Sequence, residues 1–206
     1  MFVITLISAP GLLDPSLVEN LRNAWGGGDA IWLAPDEAAE FSLSSLPQNR
    51  WQVWHDLQDL QIDLIVQPAE NRRKKMLLAD MDSTMIRQEC IDELADHAGV
   101  GARVKDITAR AMNGELDFEE ALHERVALLK GQPAAIIDQV LAERIGLMAG
   151  GKVLLATMRE NGAYAALVSG GFTAFSAAIA AELGFDEHQL QRSIIRIRFI
   201  NIFYEN

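Results

Sequence analysis

Met76-Leu77-Leu78-Ala79-Asp80-Met81-Asp82-Ser83-Thr84 is a short apolar run that passes directly into two carboxylates and two hydroxyls. A continuous apolar run with such an end reads as a strand buried on both faces, the kind a parallel sheet takes. Asp80 and Asp82 are therefore presented where the strand stops. A second segment repeats the design: Tyr164-Ala165-Ala166-Leu167-Val168-Ser169-Gly170-Gly171 is a strand that opens through two glycines onto the helix TAFSAAIAAEL, which Gly184 caps. Helical patterns fill residues 89–129 and 134–145, and a further helix spans about 151–160. Strand, helices, strand, helix implies an α/β fold with a parallel sheet and functional residues at the carboxyl ends of its strands.

Toward the N-terminus, the polar stretch AENRRKK at 69–75 separates this region from another, with the linker proper at 71–75. Its four consecutive basic residues read as a solvated boundary in preference to a nucleic-acid or localisation signal. In residues 1–70, FVITLIS is a strand, Asp14-Pro15 starts a helix that runs to Trp25, and Gly26-Gly27-Gly28 ends it. AIWLA and EFSL are short strands, Pro47 opens a helix through WQVWHDLQ, and IDLIVQ closes the set. The order β-α-β-β-α-β is that of a small ferredoxin-like α+β domain.

With 206 residues, half of them hydrophobic and 23% charged, the chain has room for one sizeable domain and a small companion. A formal net charge of −11 disfavours nucleic acid as a partner, since phosphate backbones select clustered Lys and Arg. A small-molecule substrate is the expectation. The lone Cys90 forms no internal disulfide, the first residues lack a secretory pattern, and no apolar run approaches membrane-spanning length. A cytoplasmic protein without a membrane partner follows, and self-association into a homodimer stays open.

Two carboxylates this close need a reason to coexist. A turn or helix cap built from Asp, Ser and Thr is one. A divalent cation is the other: magnesium prefers hard oxygen ligands and keeps waters, so one or two carboxylates plus a substrate phosphate suffice to hold it. In that arrangement Asp80 attacks phosphorus and forms an aspartyl-phosphate. Asp82 protonates the leaving oxygen and later activates water, and Ser83 and Thr84 add hydroxyl and backbone donors to phosphate oxygens. Residues 168–173 read either as a plain strand-to-helix turn or as an anion site made of helix-start amides and glycines.

Three longer stretches make the reading specific. DMDSTMIRQECIDELA, ITARAMNGELDFEEALHERVALLKG and LVSGGFTAF, in that order and spacing between about residues 76 and 188, resemble the phosphoserine phosphatases of the haloacid dehalogenase (HAD) superfamily. The resemblance implies a Rossmann-like core over 76–188 with a helical cap inserted at about 85–149, and makes the ferredoxin-like domain resemble the ACT-like regulatory domains of amino-acid enzymes. It implies Asp80 as nucleophile and Asp82 as acid/base, with Asp80 and the Asp82 backbone carbonyl on Mg2+. Ser169 and Gly170 would hold the phosphate. Glu89 and Arg125 would take the ammonium and carboxylate of O-phosphoserine, and Met112 and Phe118 would line the pocket. The charges suit those groups.

Other signals are set aside. Residues 146–152 have the GxxxxGK spacing of a P-loop, but Val153 replaces the Ser or Thr that binds magnesium, and a helix precedes the segment. The resemblance makes it the return from cap to core. His55, His97, His123 and His188 lack zinc spacing, Cys90 reads as a packed small residue, and Asp92, Glu93, Glu119 and Glu120 read as solvated helix faces.

The family pattern continues with a phosphate-steadying Lys and a GDGxND segment, neither of which is found here. From Gln189 the chain reads QLQRSIIRIRFINIFYEN, with no Ala and five Ile, where the preceding stretch is Ala-rich. The expectation is an atypical tail over 189–206, a core that lacks its C-terminal strands, and a phosphoserine phosphatase with weak or no activity. Two competitors are a non-catalytic amino-acid-binding or dimerising module, and a phosphatase for another small phosphomonoester.

Overall fold

The computed structural model describes residues 1–190, and the chain divides into two compact units, Met1–Arg73 and one from Lys74 onward. The first unit runs β1 (Phe2–Ile7), α1 (Pro15–Trp25), β2 (Ile31–Ala34), β3 (Ala38–Leu43), α2 (Arg50–Asp59) and β4 (Asp63–Pro68). Its four strands lie in the order β2-β3-β1-β4, every neighbour antiparallel, which is the ferredoxin-like arrangement. The ends of α1 follow from its sequence. The Asp14 carboxylate accepts the Ser16 N–H at 2.7 Å, Pro15 takes the first turn, and Gly26 closes the helix at φ +65°. Ile4 and Leu6 of β1, Phe41 and Leu43 of β3, Leu64 of β4, Val18 of α1 and Leu57 of α2 form its core. Each such burial is worth about 1.5–3 kcal/mol relative to exposure.

Two details differ from the sequence reading. Helix α2 begins at Arg50 and not at Pro47, because the Pro47 carbonyl accepts the Arg50 N–H at 3.4 Å and closes a turn ahead of the helix. Arg72, read as part of a solvated boundary, forks onto the Glu40 carboxylate of β3 with both of its terminal nitrogens.

The second unit contains β5 (Met76–Ala79), α3 (Cys90–His97), α4 (Gly101–Met112), α5 (Phe118–Ala127), α6 (Ala135–Glu143), α7 (Gly151–Glu160), β6 (Tyr164–Ser169), α8 (Thr173–Leu183) and β7 (Glu187–Leu190). The strands form a parallel sheet in the order β5-β6-β7. Strand β7 crosses the boundary at 188/189 where the sequence reading ends the core. Residues 191–206 of the tail lie outside the described residues. The core joins Leu167 of β6, Phe175 and Ile179 of α8 and Leu155 of α7 to Met81, Ile86, Leu94, Val104 and Leu129.

Helices α3 to α6 leave the sheet and return to it at one place. Ile86 bridges Leu147 in antiparallel fashion, Arg87 N–H donates to the Gly146 carbonyl at 2.9 Å, and Met148 N–H donates to the Met85 carbonyl at 2.9 Å. Of the P-loop-like glycines, Gly146 sits in this paired segment, its N–H bonded to Gln88 Oε1 at 2.9 Å, while Gly151 begins α7. Glu120, read as a solvated face, forms a reciprocal cap with Asp117 at the start of α5.

Candidate active site

Strand β5 ends at Ala79, and buried Met81 plugs the turn beyond it, so its neighbours Asp80 and Asp82 are set at the sheet's carboxyl edge. The Met81 carbonyl accepts the N–H groups of Thr84, Met85 and Ile86 at 3.3, 2.9 and 3.1 Å, which winds the chain tightly. Asp80 is exposed, and its Oδ1 accepts the Met81 N–H at 2.8 Å. Asp82 is held from two sides. Its Oδ1 accepts the Cys90 N–H at 2.8 Å, and its Oδ2 accepts the Ser169 hydroxyl across a long 3.4 Å.

Strand β6 brings buried Ser169 to the same edge. Ser169 Oγ accepts the Gly171 N–H at 3.0 Å, which folds the glycine turn back before α8 begins. A side chain at Gly171 would place its Cβ 3.2 Å from both Asp82 Oδ2 and Ser169 Oγ, whereas one at Gly170 would meet nothing within 4 Å.

These residues open on a cavity of about 260 Å³ whose walls include Asp80, Asp82, Glu89, Phe118, Arg125 and Gly170. Phe118, Leu122 and Arg125 are spaced i, i+4, i+7 on α5 and share its cavity-facing side. Arg125 is half-buried, and its Nε donates to the Ala121 carbonyl at 3.1 Å, which orients the guanidinium fork. Glu89 is the N-cap residue of α3 with no capping bond from its side chain, and its Oε1 accepts the Ser83 hydroxyl at 2.7 Å.

Several expectations are corrected here. Met112, at the end of α4, is 84% exposed and does not reach the cavity wall. The amides of Ser83 and Thr84 are not turned to a phosphate: the tight turn uses them on the carbonyls of Gln88 at 3.1 Å and Met81 at 3.3 Å. Asp92 is not on a solvated face. It is half-buried, and burial raises its carboxyl pKa above the ordinary range against the pull of the Arg125 guanidinium. Cys90 is packed as expected, but it also lines the cavity; burial, then the Asp82 charge, pushes its thiol pKa up, which disfavours the thiolate. Ile91, Leu122 and Phe172 also line the cavity and were not singled out from sequence. Leu122 follows Phe118 at i+4 on α5, which was the available signal; Ile91, next to Cys90 in the chain, had none.

Among the described residues no group of three or more His, Cys, Asp or Glu side chains is placed to hold a metal, and no helix is long and apolar enough to cross a membrane.

A parallel sheet with a carboxylate pair after one strand, a Ser-Gly turn after the next and a helical insertion between them describes a hydrolase family. The haloacid dehalogenase-like hydrolase profile matches residues 77–191, and the chain belongs to that family. It is 44% identical over 139 residues to a phosphoserine phosphatase of Archaeoglobus fulgidus, a match covering 66% of this chain and 40% of that protein. It is 39% identical over 156 residues to a phosphoserine phosphatase of Streptomyces coelicolor, covering 74% of this chain and 38% of that one. The chain thus spans about two fifths of the length of these two relatives. Among solved structures, an unliganded probable phosphoserine phosphatase of Vibrio cholerae superposes with a TM-score of 0.69 at 30% identity, covering 92% of this chain and 58% of that one.

Proposed function

We propose that this chain carries the site of a phosphoserine phosphatase, which cleaves O-phospho-L-serine to L-serine and phosphate with magnesium. One observation carries the reading: a single cavity holds the Asp80 and Asp82 carboxylates, the Gly170-Gly171 turn, and the opposite charges of Glu89 and Arg125. A phosphate ester with one ammonium and one carboxylate matches that set of groups. A phosphomonoester without those charges would offer Glu89 and Arg125 no charged group to bind. The identities to curated phosphoserine phosphatases support the same choice.

In this reading the second oxygen of Asp80 attacks phosphorus, an acyl-phosphate bond forms, and the bond from phosphorus to the serine oxygen breaks. Asp82, in its protonated form, gives the leaving oxygen its proton. A water then attacks phosphorus, Asp82 takes the water's proton, and the acyl-phosphate breaks to restore Asp80. Cys90 N–H and Ser169 hold the Asp82 carboxyl in place through both transfers. The Gly170 amide and the start of α8 would supply donors for phosphate oxygens, the Gly171 amide being used on Ser169 Oγ. Glu89 and Arg125 fix the amino-acid end, turning binding energy into alignment of the phosphorus.

The donor chemistry fits magnesium. Asp80 would hold the ion through a hard carboxylate oxygen and Asp82 through its backbone carbonyl, since the Asp82 side chain is already bonded to Cys90 and Ser169. One carboxylate with waters and a substrate phosphate is a usual magnesium shell. When bound there, the ion offsets negative charge between Asp80 and the phosphoryl group.

The test is magnesium-dependent phosphate release from O-phospho-L-serine. Asp80→Asn should retain the fold by circular dichroism and lose turnover by at least roughly a thousandfold. Wild-type turnover that survives this change, or none on O-phospho-L-serine in the wild type, would overturn the reading. The first unit is, in the same reading, an ACT-like module that binds an amino acid. Its sheet order supports this, and calorimetric titration of the protein with serine and glycine tests it.

A further inference from the structure

Residues 82–90 close into a ring through three hydrogen bonds. Ser83 N–H donates to the Gln88 carbonyl at 3.1 Å, Cys90 N–H donates to Asp82 Oδ1 at 2.8 Å, and Ser83 Oγ donates to Glu89 Oε1 at 2.7 Å. Ser83 itself has φ +51°, in the left-handed region that side-chain-bearing residues seldom occupy. The hydroxyl next to the acid/base is thus used on a carboxylate of the cavity wall six positions along the chain.

We propose that Ser83 is a positioning residue for the substrate's ammonium group, acting through Glu89; this rests on the reading of the cavity as an O-phosphoserine site. Glu89 is exposed and has a long side chain, so an untethered carboxylate would sample several rotamers, and binding an ammonium would carry the cost of ordering it. A single neutral donor to Oε1 removes much of that freedom and leaves the charge and Oε2 for the ligand. A carboxylate has about four acceptor positions, so the ammonium does not displace the hydroxyl. Ser83 also directly follows Asp82, and Glu89 directly precedes the Cys90 amide that holds Asp82. The ammonium acceptor and the acid/base are therefore mounted on one ring, which ties recognition of the amino-acid end to the geometry at phosphorus.

The test compares O-phospho-L-serine with the phosphate ester of 3-hydroxypropanoate, which keeps the phosphate and carboxylate on the same carbon chain but has no ammonium. The ratio of kcat/KM for the two esters is measured in the wild type, Ser83→Ala and Ser83→Gly. Both variants remove the hydroxyl, and only Gly relaxes the backbone. The ratio should fall roughly tenfold in both, through KM for O-phospho-L-serine, as expected for loss of one hydrogen bond to a charged group. A Ser83→Gly ratio equal to that of the wild type would overturn the proposal and assign any Ala effect to backbone strain. A loss equal for both esters would also overturn it. A wild type that does not distinguish the two esters would instead overturn the substrate reading, and this inference with it.

Discussion

Gly170 and Gly171 are adjacent in the turn after β6, yet only one of them requires the absence of a side chain. A methyl group at Gly171 would press on Asp82 Oδ2 and Ser169 Oγ at 3.2 Å, and a few tenths of an ångström would have to come from the acid/base itself. Gly171→Ala should therefore lower kcat roughly tenfold or more, since small displacements of reacting groups are costly. Gly170→Ala keeps its amide and meets nothing, so it should cost much less; equal losses in the two variants would contradict the account. The pair shows where sequence reading stops. The place of Asp80, Asp82 and Ser169 at strand ends is legible because apolar runs stop there at polar residues, but a plain turn reads the same way, and only the resemblance separated the two. The special need at Gly171 arises from a residue 89 positions earlier in the chain and is visible only when β5 and β6 are paired. Met112 fails for the converse reason: its place at the end of α4 leaves it in solvent.

Among the elements, α3 has the most to do. Its N-cap is Glu89, its first amide holds Asp82, and its first turn carries Asp92 and Glu93. A polar residue on an amphipathic helix reads as solvated from sequence, and Glu93 meets Arg144 at 2.8 Å near the surface. Asp92 is turned inward enough for burial to raise its carboxyl pKa, with Arg125 opposing. The folded chain thus holds this proton more tightly than the unfolded one. Stability falls as pH rises from the unfolded value, about 3.9, through the raised folded value, and the full penalty persists above it. Asp92→Asn removes that penalty. Its gain in denaturant midpoint over the wild type should grow across this window and level off above it. A gain confined to acid pH, or a loss at neutral pH, would contradict the assignment. Helix boundaries were more legible than helix faces. Asp14-Pro15 and Gly26 delimit α1 by capping chemistry alone, whereas α2 starts late because a proline turn comes first.

At the scale of the whole molecule, the two units were separable in sequence because each has its own rhythm of strands and helices on either side of a polar stretch. The parallel strands β5 and β6 were evident as apolar runs, but β5 is not buried on both faces as its run suggested: Met76 is 58% and Leu78 66% exposed. Strand β7 was not evident: Glu187-His188-Gln189-Leu190 has no apolar alternation, and it is a strand because β6 offers it a parallel partner from Ala166 to Ser169. The insertion of α3 to α6 was implied by resemblance, and the paired hinge at Ile86 and Leu147 is its physical basis. The hinge places Glu89 and Arg125, which come from the insertion, in one cavity with Asp80, which comes from the sheet.

That convergence makes Asp80 the centre of the account, and the most direct test is to trap its phosphoryl group. The protein is mixed with magnesium and O-phospho-L-serine labelled at phosphorus, quenched in acid and digested. Acid-stable, hydroxylamine-labile label is expected on the peptide that carries Asp80, and none in Asp80→Asn. Phosphate release without label on that peptide, or label that persists in Asp80→Asn, would contradict it.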